Sequence, residues 1–338
     1  MTRLTVARQT QFQIQRFRPD HDALLDSWLE LHALAAGSPD TGPVPCAEDL
    51  VGSVRYPPPN STMTDWVATS GTSVVGWMRL VIPNSGTALT MVGPVVRPDV
   101  RGNQVATQLL SWCFAQAGQL GMTEVHGSFT ADSLTDGAPA ARRLLASAGG
   151  EVVAHGSNQR LELTAPLPAT PPLPGGHCFV RWGSVIPDDH VVAASALETT
   201  SGAGELPSFA ECADPHRRAE SYLRQFEVMR IGRGRRAYQT GVLGPDGALV
   251  GFSSLSMTAG EPRYALQGMT VVHESARGHR LGLALKLANL EHARAHEPEL
   301  AVLTTGNDAG NTPMLATNRA MGYRAVNTEV FFRVGLCD

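Results

Sequence analysis

The chain contains two similar segments, in each of which a β-branched strand leads through an Arg-Gly turn into a long helix. The first reads VVRPDVRGNQVATQLL from Val95, and the second reads VVHESARGHRLGLALK from Val271. A helix that starts at such a turn leaves its first N–H groups without intrahelical partners, and its dipole makes that end positive. The repeat therefore predicts two copies of one fold, and each turn is a candidate site for a phosphate-bearing ligand.

The middle of the chain is marked by a segment rich in proline and glycine. A chain of 338 residues is longer than one ordinary hydrophobic core requires, so two domains are expected. Proline removes backbone donors and favours extended backbone, so residues 166–176 are predicted to be a linker. We therefore expect an N-terminal domain at residues 1–165 and a C-terminal domain at residues 177–338.

The spacing of apolar residues predicts the same order of elements on both sides of the linker. Each half is expected to contain a strand, two helices, three strands, a long helix, a strand, a helix and closing strands. The long helices are predicted at Arg101–Leu120 and Arg277–His296. The chain is expected to end in two short strands at Ala325–Thr328 and Val330–Val334.

The predicted strands and turns define a fold class. Turn-forming residues at 69–72 and 244–247 favour hairpins, and therefore antiparallel neighbours, in both halves. We expect an α/β (α+β) protein made of two tandem domains. Each domain is predicted to contain a mixed, mostly antiparallel sheet that is flanked by helices.

Composition excludes several functional classes. A net charge of −4 argues against a broad surface for nucleic acid, which is normally basic. The sequence has no apolar run of the roughly 18–20 residues that span a bilayer, and its first residues lack the apolar core of a secretory signal. Five scattered cysteines without a CxxC pair predict reduced thiols and no metal site. We therefore expect a cytoplasmic protein without nucleic-acid or membrane partners.

The order of elements, together with an Arg-x-x-Gly-x-Gly/Ala loop after the fourth strand, resembles the GCN5-related N-acetyltransferases (GNAT family). The resemblance covers almost the whole chain twice. The second copy is also similar to tandem members from high-GC bacteria, which include mycothiol synthase. The resemblance implies that acetyl-CoA is the acyl donor and that an amine is the acceptor.

The resemblance also implies which residues hold coenzyme A (CoA). Glycines let the backbone approach the pyrophosphate, and the open edge of the preceding strand can pair with the pantetheine amides. In the second copy these residues are Thr270, Val271, Val272, Arg277, Gly278, His279, Arg280, Leu281, Gly282 and Asn311. A second, weaker site in the first copy would use Val95, Val96, Arg101, Gly102, Asn103, Gln104 and Ala106. The N–H group of Val272 or Val271 is expected to polarise the thioester.

Both loops depart from the family pattern at the central glycine, which is Gln104 in the first copy and Arg280 in the second. A side chain at this position either crowds the pyrophosphate or, for Arg280, binds it directly. Pro94 further weakens the predicted CoA site of the first copy, because proline cannot donate a hydrogen bond from the strand to the pantetheine.

The residues expected to carry the chemistry lie in the second copy, because the first lacks both the asparagine and the tyrosine of the family's last helix. Glu261 and Tyr264 begin the fourth strand and are candidates for the general base. The family tyrosine that protonates the departing thiolate is replaced by Asn318, so Asn318 or a water is expected to serve.

These observations favour direct transfer of an acetyl group to the amine of a small molecule within a ternary complex, by a monomer rather than a homodimer. Two alternatives stay open. The altered loops would also fit a non-catalytic acyl-CoA-binding or interaction module. A transferase that depends on aminoacyl-tRNA is a more distant alternative, because the chain lacks a basic surface.

Overall fold

The computed structural model describes residues 12–21, 23–36, 46–102, 104–131, 138–201, 220–258 and 260–336. The first half contains β1 (Gln13–Phe17), α1 (Leu25–Ala35), α2 (Ala47–Arg55), β2 (Ser61–Ser70), β3 (Ser73–Pro83), β4 (Ala88–Val96), α3 (Val105–Gln119), β5 (Glu124–Ala131), α4 (Pro139–Ser147) and β6 (Glu151–Glu162). The second half contains β7 (Cys178–Trp182), α5 (Asp188–Ser201), α6 (Glu220–Gly232), β8 (Arg235–Leu243), β9 (Leu249–Thr258), β10 (Tyr264–Val272), α7 (Leu281–His296), β11 (Val302–Asp308), α8 (Thr312–Met321) and β12 (Arg324–Gly335). The two halves therefore repeat one order of elements.

All described strands belong to one 12-stranded sheet with the order β1-β2-β3-β4-β5-β12-β6-β11-β10-β9-β8-β7. Two neighbouring pairs, β4–β5 and β10–β11, are parallel. The other neighbouring pairs among the described strands are antiparallel. The mixed, mostly antiparallel α/β architecture expected from the sequence is confirmed. Within the described ranges, no helix is both long and apolar enough to cross a membrane.

The last strand of each half is exchanged between the halves. Strand β6 pairs with β11 of the second half over Gly156–Glu162, and β12 pairs with β5 of the first half over Thr328–Gly335. The two exchanged strands also pair with each other at the centre of the sheet. Each of these two strands therefore belongs to one half by its place in the sequence and pairs with a strand of the other half in the sheet.

Helices cover both faces of the sheet in each half. In the second half, α7 and α8 bury a cluster around Leu255, Leu287 and Leu303, while α5 and α6 bury a cluster around Phe252 and Leu223 on the opposite face. The first half repeats this arrangement, with α3 and α4 on one face and α1 and α2 on the other. Each half is thus a three-layer unit of helix, sheet and helix.

The two parallel pairs separate soon after they begin. Strand β10 pairs with β11 only from Tyr264 to Leu266, and β4 pairs with β5 only from Ala88 to Thr90. Near the separation, β10 has a register shift between Gln267 and Thr270 against β9. Strand β4 has the matching shift against β3. Each half therefore has a wedge-shaped gap with an unpaired edge of the fourth strand on one side.

The long helices begin later than the sequence predicted. Helix α3 starts at Val105 instead of Arg101, and α7 starts at Leu281 instead of Arg277. The residue before each helix has a left-handed backbone, with φ of 64° at Gln104 and 58° at Arg280. A residue with positive φ cannot continue a right-handed helix, so the Arg-Gly segment forms a loop before it.

The end of the chain also differs from expectation. The two predicted terminal strands are one strand, β12, because register shifts after Ala325 and Phe331 absorb the irregularities without breaking the pairing with β6.

Candidate functional site

A cavity of about 700 Å³ lies in the gap beside β10, between that strand and the beginnings of α7 and α8. All the cofactor-binding residues predicted for the second copy line it, except His279. The remaining lining residues come from the end of β11 and from α8: Asp308, Gly310, Pro313, Met314 and Thr317. His279 is exposed, and its Nδ1 lies 3.1 Å from the carbonyl oxygen of Arg277.

The loop before α7 provides donors for an anion. Leu283 and Ala284 donate the first backbone hydrogen bonds of α7, both to the carbonyl oxygen of Arg280, at 3.1 Å. The N–H groups of Leu281 and Gly282 precede this ladder, and both residues line the cavity. The guanidinium groups of Arg277 and Arg280, which also line it, add positive charge to the helix dipole.

The direction of the amides in β10 distinguishes Val271 from Val272. His273 donates its N–H to the carbonyl oxygen of Val250 on β9, at 2.8 Å. Because amide directions alternate along an antiparallel strand, the N–H and C=O of Val272 point away from β9 and toward the gap. The Nε of Arg277 donates to that carbonyl oxygen at 3.2 Å, which is consistent with this direction. Val272, rather than Val271, therefore offers an amide to a ligand in the cavity.

Asn311 has two roles in the geometry of the site. Its Oδ1 accepts a hydrogen bond from the N–H of Met314 at 3.2 Å, so it caps α8. It also lines the large cavity. The cap fixes the position of the helix start beside the cavity.

Asn318 lies in a buried polar network. It is fully buried. Its Oδ1 accepts a hydrogen bond from Nζ of Lys286 at 2.5 Å, and its Nδ2 donates to Gln159 and to Asn307, both at 2.7 Å. Gln159 belongs to the exchanged strand β6, so the network joins the two halves. The role of Asn318 as a proton source for the thiolate stays a prediction.

Lys286 was missed by the sequence analysis. It is 1% exposed on α7, and burial lowers its pKa to about 7. Its ammonium nitrogen also lies 5.5 Å from the centre of the Tyr323 ring. The available signal was a single charged residue within the apolar run from Leu281 to Leu290.

Glu261 and Tyr264 line a different, smaller cavity of about 170 Å³ at the beginning of β10. Asp49 of α2 lies on the same wall and receives two hydrogen bonds, of 2.6 and 2.7 Å, from Arg235. With a strand rise of about 3.3 Å per residue, Tyr264 lies about 20 Å along β10 from Thr270. A general base must reach the reacting amine directly or through one water. The structure therefore does not bring these two residues together with the large cavity, and their catalytic role stays a prediction.

A third cavity, of about 230 Å³, lies on the face of the sheet that α5 and α6 cover. It reaches the register shift of β10, where Gly268 and Met269 line it. A Cβ at Gly268 would lie 2.5 Å from Oγ of Ser254, so a larger residue would require that hydroxyl to move. Residues of α6 line its wall with helical spacing and could have been found from that pattern: Tyr222, Leu223, Phe226, Glu227, Met229 and Arg230.

The loop of the first copy matches that of the second in backbone conformation at two described positions. Gly102 and Gly278 have φ of 89° and 88°, and each is followed two residues later by a left-handed residue, Gln104 or Arg280. Of the remaining residues predicted for the weaker site, Val95 and Val96 end β4, Arg101 is exposed in the loop, and Ala106 lies in the first turn of α3. Asn103 lies outside the described residues.

No group of three or more histidine, cysteine or acidic residues that could hold a metal occurs in the part of the chain that the structure describes.

Comparisons with known proteins agree with this geometry. Residues 28–133 match the sequence model of the acetyltransferase (GNAT) family. The solved structure of a tandem GNAT protein from the clavulanic acid biosynthesis pathway, without AcCoA, is 36% identical, with a TM-score of 0.84; the match covers 97% of this chain and 99% of that chain. A GCN5-related N-acetyltransferase from Sphaerobacter thermophilus is 18% identical, with a TM-score of 0.66 and coverage of 99% and 98%. No curated protein matches the sequence.

The chain therefore belongs to the GNAT family and is a tandem GNAT acyltransferase. The family model matches within the first copy, whereas the large cavity described above lies in the second.

Proposed function

We propose that the C-terminal half, residues 177–338, transfers an acetyl group from acetyl-CoA to the amine of a small molecule. The observation that carries this proposal is the cavity of about 700 Å³ between the open edge of β10 and the positive ends of α7 and α8. Such a cavity suits a long ligand with an anionic end and amide groups along its length.

The diphosphate of CoA would accept hydrogen bonds from the N–H groups of Leu281 and Gly282 and from the guanidinium groups of Arg277 and Arg280. The pantetheine arm would follow β10 from Val272 toward Thr270, with the amide of Val272 pairing with a pantetheine carbonyl. Binding along this edge would displace the bond between Arg277 and the carbonyl oxygen of Val272, which frees that oxygen for a pantetheine N–H.

The reaction would be one direct displacement. The lone pair of the unprotonated amine attacks the thioester carbonyl carbon, a C–N bond forms, and the C–S bond breaks. The electron pair of that bond leaves with sulfur as a thiolate, and the proton lost by the nitrogen balances the formation of the CoA thiol. Desolvation in the cavity at Gly268 and Met269 would favour the unprotonated amine.

The cysteines support direct transfer over a covalent acyl-enzyme. Cys113 is buried on α3, and burial raises the pKa of its thiol to about 12. Cys178 is exposed on the outermost strand, and Cys46 lines the small cavity beside Asp49. Among the described cysteines, none lines the large cavity, so no described thiolate is in position to attack the thioester. We therefore propose a ternary complex.

We further propose that the N-terminal half, residues 1–165, is a non-catalytic partner, joined through residues 166–176, that completes the sheet of a monomer. We assign the acceptor to the cavity of about 230 Å³ at Gly268 and Met269, which is sized for a small molecule. An amino sugar, an antibiotic-type amine and a mycothiol precursor each fit this class, and the likeness to mycothiol synthase stays a prediction.

The donor site can be tested with one substitution and its counterpart in the other copy. A Cβ at Gly282 meets no atom within 4 Å. An aspartate there would also be favourable for the helix, because a negative charge near its N-terminus interacts well with the dipole. The same charge would repel a diphosphate. Gly282→Asp should therefore keep the thermal stability and weaken acetyl-CoA binding at least about tenfold in calorimetry.

Ala106→Asp, at the matching position of α3, is the control and should leave that affinity unchanged. If Gly282→Asp bound acetyl-CoA as tightly as the unmodified chain, or if Ala106→Asp caused the same loss, the proposed donor site would be wrong.

A non-catalytic acyl-CoA-binding module is the second candidate. The observation that favours it is Asn318, which stands where the family has a tyrosine and is enclosed in its network. Release of the CoA thiol from acetyl-CoA in the presence of a broad set of amines discriminates the two. Turnover supports the enzyme, whereas tight binding without turnover of any amine supports the module.

A further inference from the structure

Arg230 has an incompletely satisfied guanidinium group in the wall of the cavity next to the register shift of β10. The residue is 7% exposed on α6 and lines that cavity. Its Nη2 donates to the carbonyl oxygen of Ser184, whereas its Nε is buried without a hydrogen-bond partner among the described residues. Its guanidinium carbon lies 6.0 Å from the centre of the Phe226 ring. A buried charged donor of this kind is unfavourable unless something else binds it.

Two other charged residues of this wall, Glu227 and Arg235, are engaged with partners that lie outside it. The carboxylate of Glu227 accepts hydrogen bonds from the backbone N–H of Ile186, at 2.7 Å, and from Arg224, at 2.8 Å. Arg235 is paired with Asp49 through two hydrogen bonds. Glu227 and Glu198 act on Arg230 only as nearby charges, and burial, the larger influence, lowers the pKa of Arg230. Among the described residues, Arg230 therefore has no ion pair, and its buried Nε lacks a hydrogen-bond partner.

We infer that the acceptor is a small amine that also carries a carboxylate, and that Arg230 binds this carboxylate. The inference rests on the proposed function, because it assigns the second end of the acceptor for that reaction. The amine end would lie at Gly268 and Met269, beside the gap that holds the thioester. The carboxylate would lie toward α6, where the guanidinium must turn slightly into the cavity.

This turn is opposed by the hydrogen bond to the carbonyl oxygen of Ser184, by the contact with the Phe226 ring and by the attraction of Glu227 and Glu198. A carboxylate supplies two acceptor oxygens and a full negative charge, so the exchange is favourable. An acceptor without an anionic group would leave Nε of Arg230 without a hydrogen-bond partner. The site would therefore discriminate by charge as well as by size.

The first experiment uses the full-length chain without substitutions. Release of the CoA thiol from acetyl-CoA is measured with pairs of amines that differ only in the carboxylate: glycine and methylamine, phenylalanine and phenethylamine, lysine and cadaverine. The best carboxylate-bearing member should have a kcat/KM about 10- to 100-fold above its partner, as expected for one charge-assisted hydrogen bond. Aminomethylphosphonate in place of glycine tests whether a carboxylate is preferred over another anion.

The second experiment changes Arg230. Arg230→Gln should remove the preference, so that both members of a pair react at similar rates, while acetyl-CoA affinity stays unchanged in calorimetry. Arg230→Lys keeps the charge and should retain part of the preference, which a purely structural role would not predict. Ile231→Gln, at an exposed position of the same helix, is the control and should leave the preference intact.

The outcomes separate the two proposals. If acetyl-CoA does not bind, the proposed function is wrong. If amines are acetylated but carboxylate-free members react as well as their partners, or if only phosphonates react, the assignment to a carboxylate at Arg230 is wrong. Turnover of none of the carboxylate-bearing amines, with acetyl-CoA bound, would also overturn it.

Discussion

The two copies differ at one matching place in the sheet. It lies on the face that α1 and α2 cover in the first copy and that α5 and α6 cover in the second. Trp77 pairs with Val95 in the first copy as Phe252 pairs with Val271 in the second. Two residues further along β3, Arg79 pairs across the sheet with Asp65. At the matching place on β9, Ser254 pairs with Gln239. The second pair lines the open cavity of about 230 Å³. The first pair is a buried ion pair.

The ion pair in the first copy is enclosed by aromatic side chains. Nε of Arg79 lies 3.1 Å from Oδ1 of Asp65, and the same oxygen accepts a hydrogen bond from Nε1 of Trp77 at 2.8 Å. His32 packs edge-on against Trp77 and Trp28, and burial lowers its pKa to about 4, so it is neutral there. One fold thus uses the same position for a filled core in one copy and for a cavity in the other. The difference supports our proposal that the first copy contributes to stability and the second to substrate binding.

The largest expected effect comes from breaking the ion pair. Asp65→Ala would leave Arg79 buried and uncompensated, which costs about 3–5 kcal/mol. Gln239→Ala, at the matching position of the second copy, removes one hydrogen bond to the carbonyl oxygen of Gly183 and should cost about 1 kcal/mol. Urea unfolding measures both changes. Equal costs would contradict the division of roles between the two copies.

The sequence was sufficient for features that depend on local patterns. The order of elements follows from runs of β-branched residues and helical spacing, and the ligand loop follows from its glycines. The exchange of β6 and β12 could not be predicted, because the alternation within a strand identifies its buried face but not its neighbour in the sheet. The cavity of about 230 Å³ was missed because helical spacing identifies its α6 residues but does not show that Arg230, Gln239 and Gly268 meet after folding.

A second comparison concerns Lys286, whose counterpart in the repeat is Leu110. The pKa of Lys286 is lowered by burial from 10.5 to about 7. Between these values the unfolded chain binds a proton that the folded chain does not, so the free energy of unfolding should rise with pH. The contribution of one such group is about 1.4 kcal/mol per pH unit.

Lys286→Leu should abolish this rise, because the substituted side chain does not titrate. Unfolding by urea at pH values between 7.5 and 9 measures the difference in slope between the two chains. The same slope in both would show that Lys286 stays protonated in the folded chain.

A smaller effect is expected at the left-handed residue before each long helix. Glycine adopts positive φ without the steric cost of a side chain, so Arg280→Gly and Gln104→Gly should each stabilise the chain by about 1 kcal/mol. Only Arg280→Gly removes a cation from the large cavity, and we expect it to weaken acetyl-CoA binding about five- to tenfold. Thermal unfolding and calorimetry on the two variants check both parts. A loss of affinity in Gln104→Gly alone would assign the donor site to the first copy.

The smallest effect concerns the residue that starts the last helix of each copy. Asn311 caps α8 with its side chain, whereas Ala138, which precedes α4 with a left-handed φ of 53°, cannot. Asn311→Ala should cost about 1 kcal/mol of stability. Ala138→Asn should gain a few tenths of a kcal/mol, because asparagine tolerates this backbone better than alanine. Since Asn311 also lines the large cavity, Asn311→Ala should weaken acetyl-CoA binding while Ala138→Asn leaves it unchanged. Calorimetry that found neither affinity altered would limit Asn311 to its role as a helix cap.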